Sequence, residues 1–320
     1  MNTRRTFLKA LGATSVFPLA VMANESPRKV RIGLIADVHK GLVPDADARL
    51  QAFIDKMNAE KADAILQMGD FCVPKPANQG FMDIFNQFKG PKFHVLGNHD
   101  TDGGFKPAET LAFWGMKARY YSFDLGGFHF IVLDANDRPA GWKGGYPHSI
   151  AKDQVAWLEA DLAATNLNTF IFSHQSLERP RCIDNQAEVR AILEAAKNQD
   201  GKRKVAACLN GHWHIDHHRM IGGIPYIHIN SASYFYMGGE YSHQSLSPEL
   251  HKKFPIMAST GPYRDPLFTL LEIDPARGRF TLSGSKSSWI GQSPEELKYQ
   301  SPDVEIAWVK PSISPLDLAL

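Results

Sequence analysis

Gly97-Asn98-His99-Asp100 follows the apolar run Phe93-His94-Val95-Leu96, and its reading decides the fold. A short apolar run closed by turn residues reads as a buried strand. Three polar side chains directly after such a strand pack poorly, but they suit a site at the carboxyl end of a sheet, where open α/β folds place their ligands. Alone, the tetrapeptide is equally an ordinary Gly-Asn turn. Four more clusters of ligand-type residues decide against that. Asp37-Val38-His39 follows the run 30–36, Gly69-Asp70 follows 62–68, Ser173-His174-Gln175 follows 169–172, and Gly211-His212-Trp213-His214 follows 204–209. A strand alternates its faces, so Asp37 and His39 are expected to point the same way across Val38.

The chain has 320 residues, 43% of them hydrophobic and 22% charged, ordinary proportions for a globular protein with a real core. Lys plus Arg number 35 against 34 for Asp plus Glu, a balance that makes no electrostatic case for a nucleic-acid or anionic membrane partner. Thirteen His are the compositional oddity, and they direct attention to metal or acid–base chemistry. Three Cys, 72, 182 and 208, show no zinc-ribbon spacing. Cys208 sits in an apolar run and reads as a buried small hydrophobe, whereas a Cys72–Cys182 bridge is left open.

The N-terminus reads as a targeting segment. Arg4-Arg5 with Phe7-Leu8-Lys9 precedes an uncharged run over 10–23 that Gly12, Ser15 and Pro18 make too broken for a membrane span. This matches a bacterial twin-arginine signal, so residues 1–23 are expected to be removed and the protein to reach the periplasm or the medium through the twin-arginine translocase.

Further along, Asp45-Ala46-Asp47 is expected to cap a helix running to about residue 58, with Leu50, Phe53, Ile54 and Met57 at helical spacing. Gly126-Gly127 and Gly222-Gly223 each divide two strand-like runs and predict hairpins. Residues 154–164 and 185–197 read as helices, and the pairs 266–273 and 279–283 as antiparallel strands. Strand–helix alternation followed by hairpins predicts an α/β fold. No internal repeat or linker appears, so 24–285 reads as one domain, with Ser- and Pro-rich 286–320 as a surface extension packed on it or trailing from it.

Taken together, D-x-H, G-D, G-N-H-D, a lone H and G-H-x-H in this order resemble the calcineurin-like metallophosphoesterase family. The resemblance implies a four-layer α/β/β/α sandwich of two mixed sheets flanked by helices. It implies two metal ions, divalent or trivalent and of the Mn, Fe or Zn kind. One is bound by Asp37, His39, Asp70 and His214, the other by Asp70, Asn98, His174 and His212. His99 would donate a hydrogen bond or proton to the substrate, with Asp100 orienting its ring. The implied reaction is hydrolysis of a small phosphorylated substrate by water that the metals make acidic. Monoester, diester and nucleotide-type pyrophosphate substrates (ADP-ribose or CDP-alcohol-like) stay open, and a non-catalytic metal-binding protein is the rival from another class. Two features depart from relatives. Gln175 stands where many have a second His, and Val73 and His39 stand where purple acid phosphatases carry Tyr and Gly, which excludes a tyrosinate–iron enzyme.

His94 reads as a packed core residue, and His129 receives no role. The Gly-rich loop 138–148, with Trp142 and Tyr146, and Tyr234-Phe235-Tyr236 are placed either to wall a pocket and stack an aromatic group or only to cover the sheet end.

Overall fold

The computed structural model describes residues 26–320, so the expected leader, 1–23, lies outside the described residues. In chain order the strands are β1 (Val30–Ile35), β2 (Ala64–Gln67), β3 (Lys92–His94), β4 (Tyr121–Leu125), β5 (Phe128–Val132), β6 (Thr169–Ser173), β7 (Val205–Asn210), β8 (His218–Ile221), β9 (Ile224–His228), β10 (Tyr234–Tyr236), β11 (Thr260–Pro262), β12 (Thr269–Asp274), β13 (Arg279–Leu282), β14 (Ser285–Lys286), β15 (Ser312–Ile313) and β16 (Leu316–Ala319). The α-helices are α1 (Ala46–Ala59), α2 (Gln79–Phe85), α3 (Pro107–Trp114), α4 (Lys152–Ala164), α5 (Gln186–Ala195) and α6 (Pro248–Lys253).

Two six-stranded mixed sheets carry the molecule, ordered β16-β13-β12-β1-β2-β3 and β4-β5-β6-β7-β9-β8, with β10-β11 and β14-β15 as small ladders. In the first sheet β1, β2 and β3 are parallel, and in the second β5, β6, β7 and β9 are parallel. Strand alternation builds the layers. Ile32 and Leu34 of β1 face Phe130 of β5, Phe170 and Phe172 of β6 and Leu209 of β7 in a core between the sheets. Each such Phe contributes about 1.5–3 kcal/mol by leaving water. Ile35 and Ile65 turn outward to Leu50, Phe53 and Met57 of α1 and to Phe81 and Phe85 of α2. Gly33 permits that approach, because a Cβ there would lie 2.3 Å from the Met57 sulfur. On the far side Ile131 and Ile171 pack with Leu158 and Leu162 of α4 and Val189 and Leu193 of α5. The result is the expected four-layer α/β/β/α arrangement.

One expectation is corrected and two alternatives left open by the sequence are resolved. The segment after 286 is no trailing tail, since β16 pairs with β13 as the edge of the first sheet. Asp45 precedes α1 without a side-chain cap, and its carboxylate instead accepts from Arg49 Nε at 2.8 Å. Cys72 and Cys182 are not bridged: all three thiols are free and buried, and burial pushes those of Cys72 and Cys182 up to about 12. Among the described residues no helix is long and apolar enough to cross a membrane.

His129 has a structural role that the sequence did not disclose. Its Nδ1–H donates to Asp124 Oδ1 at 2.6 Å and its Nε2–H to Asp161 Oδ2 at 2.8 Å, joining the β4–β5 hairpin to α4. Burial works against the imidazolium, but the hydrogen bonds from both carboxylates outweigh it and raise the pKa to about 9 from 6.5. A raised folded-state pKa gives stability that is full below the unfolded value and lost as pH rises through the folded one. We expect His129→Gln to be destabilised by about 2–3 kcal/mol at a pH near 6 and to close most of that gap by about pH 10, measured by chemical denaturation at each pH.

Candidate metal centre

All five polar clusters leave the carboxyl ends of parallel strands: β1, β2 and β3 in one sheet, β6 and β7 in the other. Because the interlayer core clamps these strands face to face, the loops that continue them meet. Asp37 N–H donates to the Gly69 carbonyl at 3.0 Å, His39 N–H to that of Asp70 at 2.9 Å, and Gly211 N–H to that of His174 at 3.1 Å.

The strands stop before the clusters, so alternation is not what aims Asp37 and His39. Asp37, His39, Asp70, His212 and His214 all have left-handed backbone, with φ of 53°, 54°, 52°, 71° and 53°. That region costs a residue with a Cβ about 1–2 kcal/mol. Each turn throws its side chain inward, and neighbouring groups hold it. Ser231 Oγ–H donates to the Asp37 carbonyl at 2.9 Å and Ser233 Oγ–H to that of Val38 at 3.0 Å. Gln67 Oε1 accepts from Gly69 N–H at 2.7 Å. Three glycines permit the closeness, but only Gly69 for its φ of 97°. A Cβ on Gly97 would lie 2.2 Å from Asp70 N, and one on Gly211 2.5 Å from an Asp37 carboxylate oxygen.

Two groups result, Asp37–His39–His214 and Asp70–His174–His212, each with ligand atoms within 4.8 Å of one another. They form one centre, since His39 Nε2 lies 3.9 Å from oxygens of both Asp37 and Asp70, as does His174 Nε2 from Asp37. The tautomers are set from outside. His174 Nδ1–H donates to the Met68 carbonyl at 2.8 Å and His214 Nδ1–H to that of Tyr234 at 2.7 Å, which turns both Nε2 lone pairs inward. They then face carboxylate oxygens, His214 Nε2 at 3.1 Å from Asp37 Oδ1 and His174 Nε2 at 3.1 Å from Asp70 Oδ2. His39 and His214 point their Nε2 atoms at each other at 3.2 Å. At the His174–Asp70 and His214–Asp37 contacts, acceptor meets acceptor in a buried site, and that demands positive charge there. Buried Asn98 Oδ1 has no hydrogen-bond partner. It belongs to a loop whose next residue donates from His99 N–H to Asp70 Oδ1 at 2.8 Å. These residues fit a pair of cations.

The ionisation states agree. Burial lowers His39 and His212 to about 3, leaving the neutral imidazole a ligand must be. For His174 burial opposes the charge, but Asp70 and Asp37 outweigh it and raise the pKa to about 10, so a proton there does what a cation would. Against the same burial, His214 and His174 hold Asp37 below its ordinary value, and His174 holds Asp70 well below it.

His99 lies at the rim, and Asp100 does not orient it. The Asp100 carboxylate is buried and accepts from the backbone N–H groups of Asp70, Phe71 and Gly97 at 2.9, 2.7 and 2.8 Å, which makes it a fastener of two loops. Burial and the nearby Asp70 push its pKa up to about 8. The partner of His99 Nδ1–H is Asp102 Oδ2 at 2.7 Å, and Asp102 Oδ1 accepts from the Tyr146 hydroxyl at 2.8 Å. Burial opposes the imidazolium of His99, but Asp70 and Asp102 leave its pKa raised. Trp142, by contrast, lies under the Arg138 guanidinium at 4.7 Å. Ser231 and Ser233 were findable, as Asn230-Ser231-Ala232-Ser233 is one more polar run after an apolar strand. Asp102 carried no such signal, whereas Tyr146 stood out only through its Gly-rich loop.

Residues 30–216 match the calcineurin-like phosphoesterase family. The chain belongs to that family. It is a metal-dependent phosphoester hydrolase of a dimetal class. A probable cyclic nucleotide phosphodiesterase of Fibrobacter succinogenes is 26% identical over 187 residues, covering 53% of this chain and 69% of that protein. Among solved structures, a dimetal phosphatase from Danio rerio superposes with a TM-score of 0.56 at 16% identity, over 82% of this chain and 99% of that one. GAP50, the anchor in the inner membrane complex of Plasmodium, superposes with a TM-score of 0.54 at 15% identity, over 83% and 86%. Likeness at that distance speaks for the fold alone.

Substituting two glycines separates close approach from general tolerance. We expect Gly97→Ala to lose most bound metal, measured by elemental analysis of protein loaded with manganese, because its Cβ would strike Asp70 N. Gly80→Ala, on α2 with nothing within 4 Å, should keep full metal content and gain up to about 1 kcal/mol of stability.

Proposed function

We propose that the protein hydrolyses phosphate diesters with two cations bound between the strand ends. Asp37, His39, Asp70 and His214 would hold one, and Asp70, Asn98, His174 and His212 the other, Asp70 serving both. The observation that carries this reading is the set of inward-facing acceptors on the two groups around Asp70. The cations, when bound, supply Lewis acidity toward a phosphoryl oxygen and lower the pKa of water.

The chain's own residues supply the rest. Neutral Asn98 limits the negative charge that a phosphate must approach. His99, outside the ligand set, donates a proton from Nε2 to the departing oxygen, while Asp102 holds Nδ1–H and fixes the ring. The Tyr146 hydroxyl steadies Asp102 from the other side. The phosphodiesterase name of the Fibrobacter relative favours a diester over a monoester. In the same reading the chain leaves the cytoplasm folded, by the twin-arginine route, as residues 1–23 suggest. Replacing Arg4 and Arg5 by Lys should then keep it in the cytoplasmic fraction.

The test is turnover of bis-p-nitrophenyl phosphate and p-nitrophenyl phosphate by manganese-loaded protein. The diester should show the higher kcat/KM, chelation should abolish it, and His99→Ala should lower kcat by about 10²–10⁴-fold. Asp102→Asn should lower kcat with unchanged Tm, whereas Asp100→Asn should lower Tm. Absence of turnover, or a monoester preference, would overturn the proposal.

A further inference from the structure

The centre opens on two sides. Toward Lys40 and Lys75 lies a small hollow of about 210 Å³, bounded also by Asp102 and Phe105. Toward the second sheet lies a larger cavity of about 540 Å³. His39, Asp70 and His99 border both, so a phosphoryl group at the centre has one substituent position on each side.

The larger cavity has an unusual lining. Tyr146, Trp213, Tyr234, Tyr236 and Tyr299 supply rings, and among the described residues that line it there is no Lys and no Arg. Tyr146 and Tyr236 leave 45% and 51% of their surface exposed at this mouth. Solvent-facing aromatic rings grouped around a concavity mark a binding surface for an apolar, flat partner. Tyr299 comes from the C-terminal extension, and it is held in place. Its ring meets Phe235 edge-on at 5.2 Å and Tyr241 at 5.1 Å. Gln300 N–H donates to the Tyr241 hydroxyl at 3.1 Å, and Asp303 pairs with Arg181 in the loop that follows His174.

Resting on the phosphohydrolase reading above, we propose that this cavity takes an uncharged aromatic substituent of the substrate phosphate, an aryl or nucleoside group, and that Tyr299 of the C-terminal extension helps select it. A second phosphate or carboxylate in the cavity would meet no Lys or Arg among the lining residues and would lie close to the Asp70 carboxylate. The site therefore disfavours pyrophosphate-linked substrates in that direction. Tyr hydroxyls and Ser301 at the margin can hydrogen-bond the polar edge of a base.

The test is binding of non-hydrolysable phosphonates to the manganese-loaded full-length protein by calorimetry, using methylphosphonate, phenylphosphonate and 4-carboxyphenylphosphonate. Phenylphosphonate should bind about tenfold more tightly than methylphosphonate. The carboxylated analogue should lose that gain. Tyr236→Ala and Tyr299→Ala should each remove most of the phenyl advantage and leave methylphosphonate affinity unchanged. Equal affinity for the methyl and phenyl compounds, or tighter binding of the carboxylated one, would overturn the proposal while leaving the phosphate site intact. Failure of all three to bind would overturn the phosphate site itself.

Discussion

Two buried carboxylates, Asp37 and Asp70, face imidazole nitrogens whose lone pairs have been turned toward them, and this repulsive arrangement is what the rest of the structure serves. Nothing in the packing of an apolar core calls for it. Met68 and Tyr234 offer carbonyls that capture the outer nitrogens of His174 and His214, and so force the inner nitrogens to be acceptors. A low-dielectric site filled with acceptors is stable only with positive charge inside it. Protonation of His174 is one way to supply it and divalent cations are another. The inward direction of these acceptors is thus set by where the Met68 and Tyr234 carbonyls lie.

The same constraint explains the strain. A strand cannot bring Asp37 and His39, or His212 and His214, to one point, because its alternation keeps them about 6–7 Å apart along the chain. Left-handed backbone at each of these residues curls the loop so that both side chains reach inward. The cost is spread over hydrogen bonds from residues that contact no candidate cation: Ser231, Ser233, Gln67 and the Asp100 carboxylate. This bracing ties each of these loops to groups outside the acceptor cluster.

Much of this was legible in the sequence. Apolar runs ended by ligand-type residues marked the strand ends, and diglycines at 126–127 and 222–223 marked hairpins whose glycines all have positive φ. Asp37, His39, Asp70, His174, His212 and His214 converge because strand ends are where a doubly layered α/β fold exposes polar side chains. Less legible was anything that depends on direction within a loop. Asp100 adjoins His99 in the chain and Asp102 lies three residues on, yet the short helical turn over His99–Thr101 brings the farther one to the ring and leaves the nearer one to backbone. Nor could spacing reveal that Cys72 and Cys182 pack in separate surroundings, against Met82 and the Ser176 N–H. The C-terminal extension misled through composition. Its Ser and Pro look unstructured, yet Leu316 and Leu318 complete a sheet edge by register with Leu282 and Phe280.

The later part of the chain also bears on the site through β10 and the segment around Tyr299. The matched family region ends at residue 216, and the larger cavity is walled from both sides of that boundary, by Tyr146 and Trp213 within it and by β10 and the segment around Tyr299 beyond it. The two groups of inward-facing acceptors therefore lie within the shared part of the chain, whereas Tyr234, Tyr236 and Tyr299 lie outside the match. GAP50 shows that this fold also occurs in a protein described as an anchor, so the sandwich alone does not fix what happens at its strand ends. On the proposed reading, chemistry rests on the acceptors around Asp70, and choice of substrate on the aromatic rings of the larger cavity, Tyr236 and Tyr299 among them. Changes in the second can accumulate without disturbing the first, because Tyr236 and Tyr299 brace none of the left-handed turns that aim the ligands.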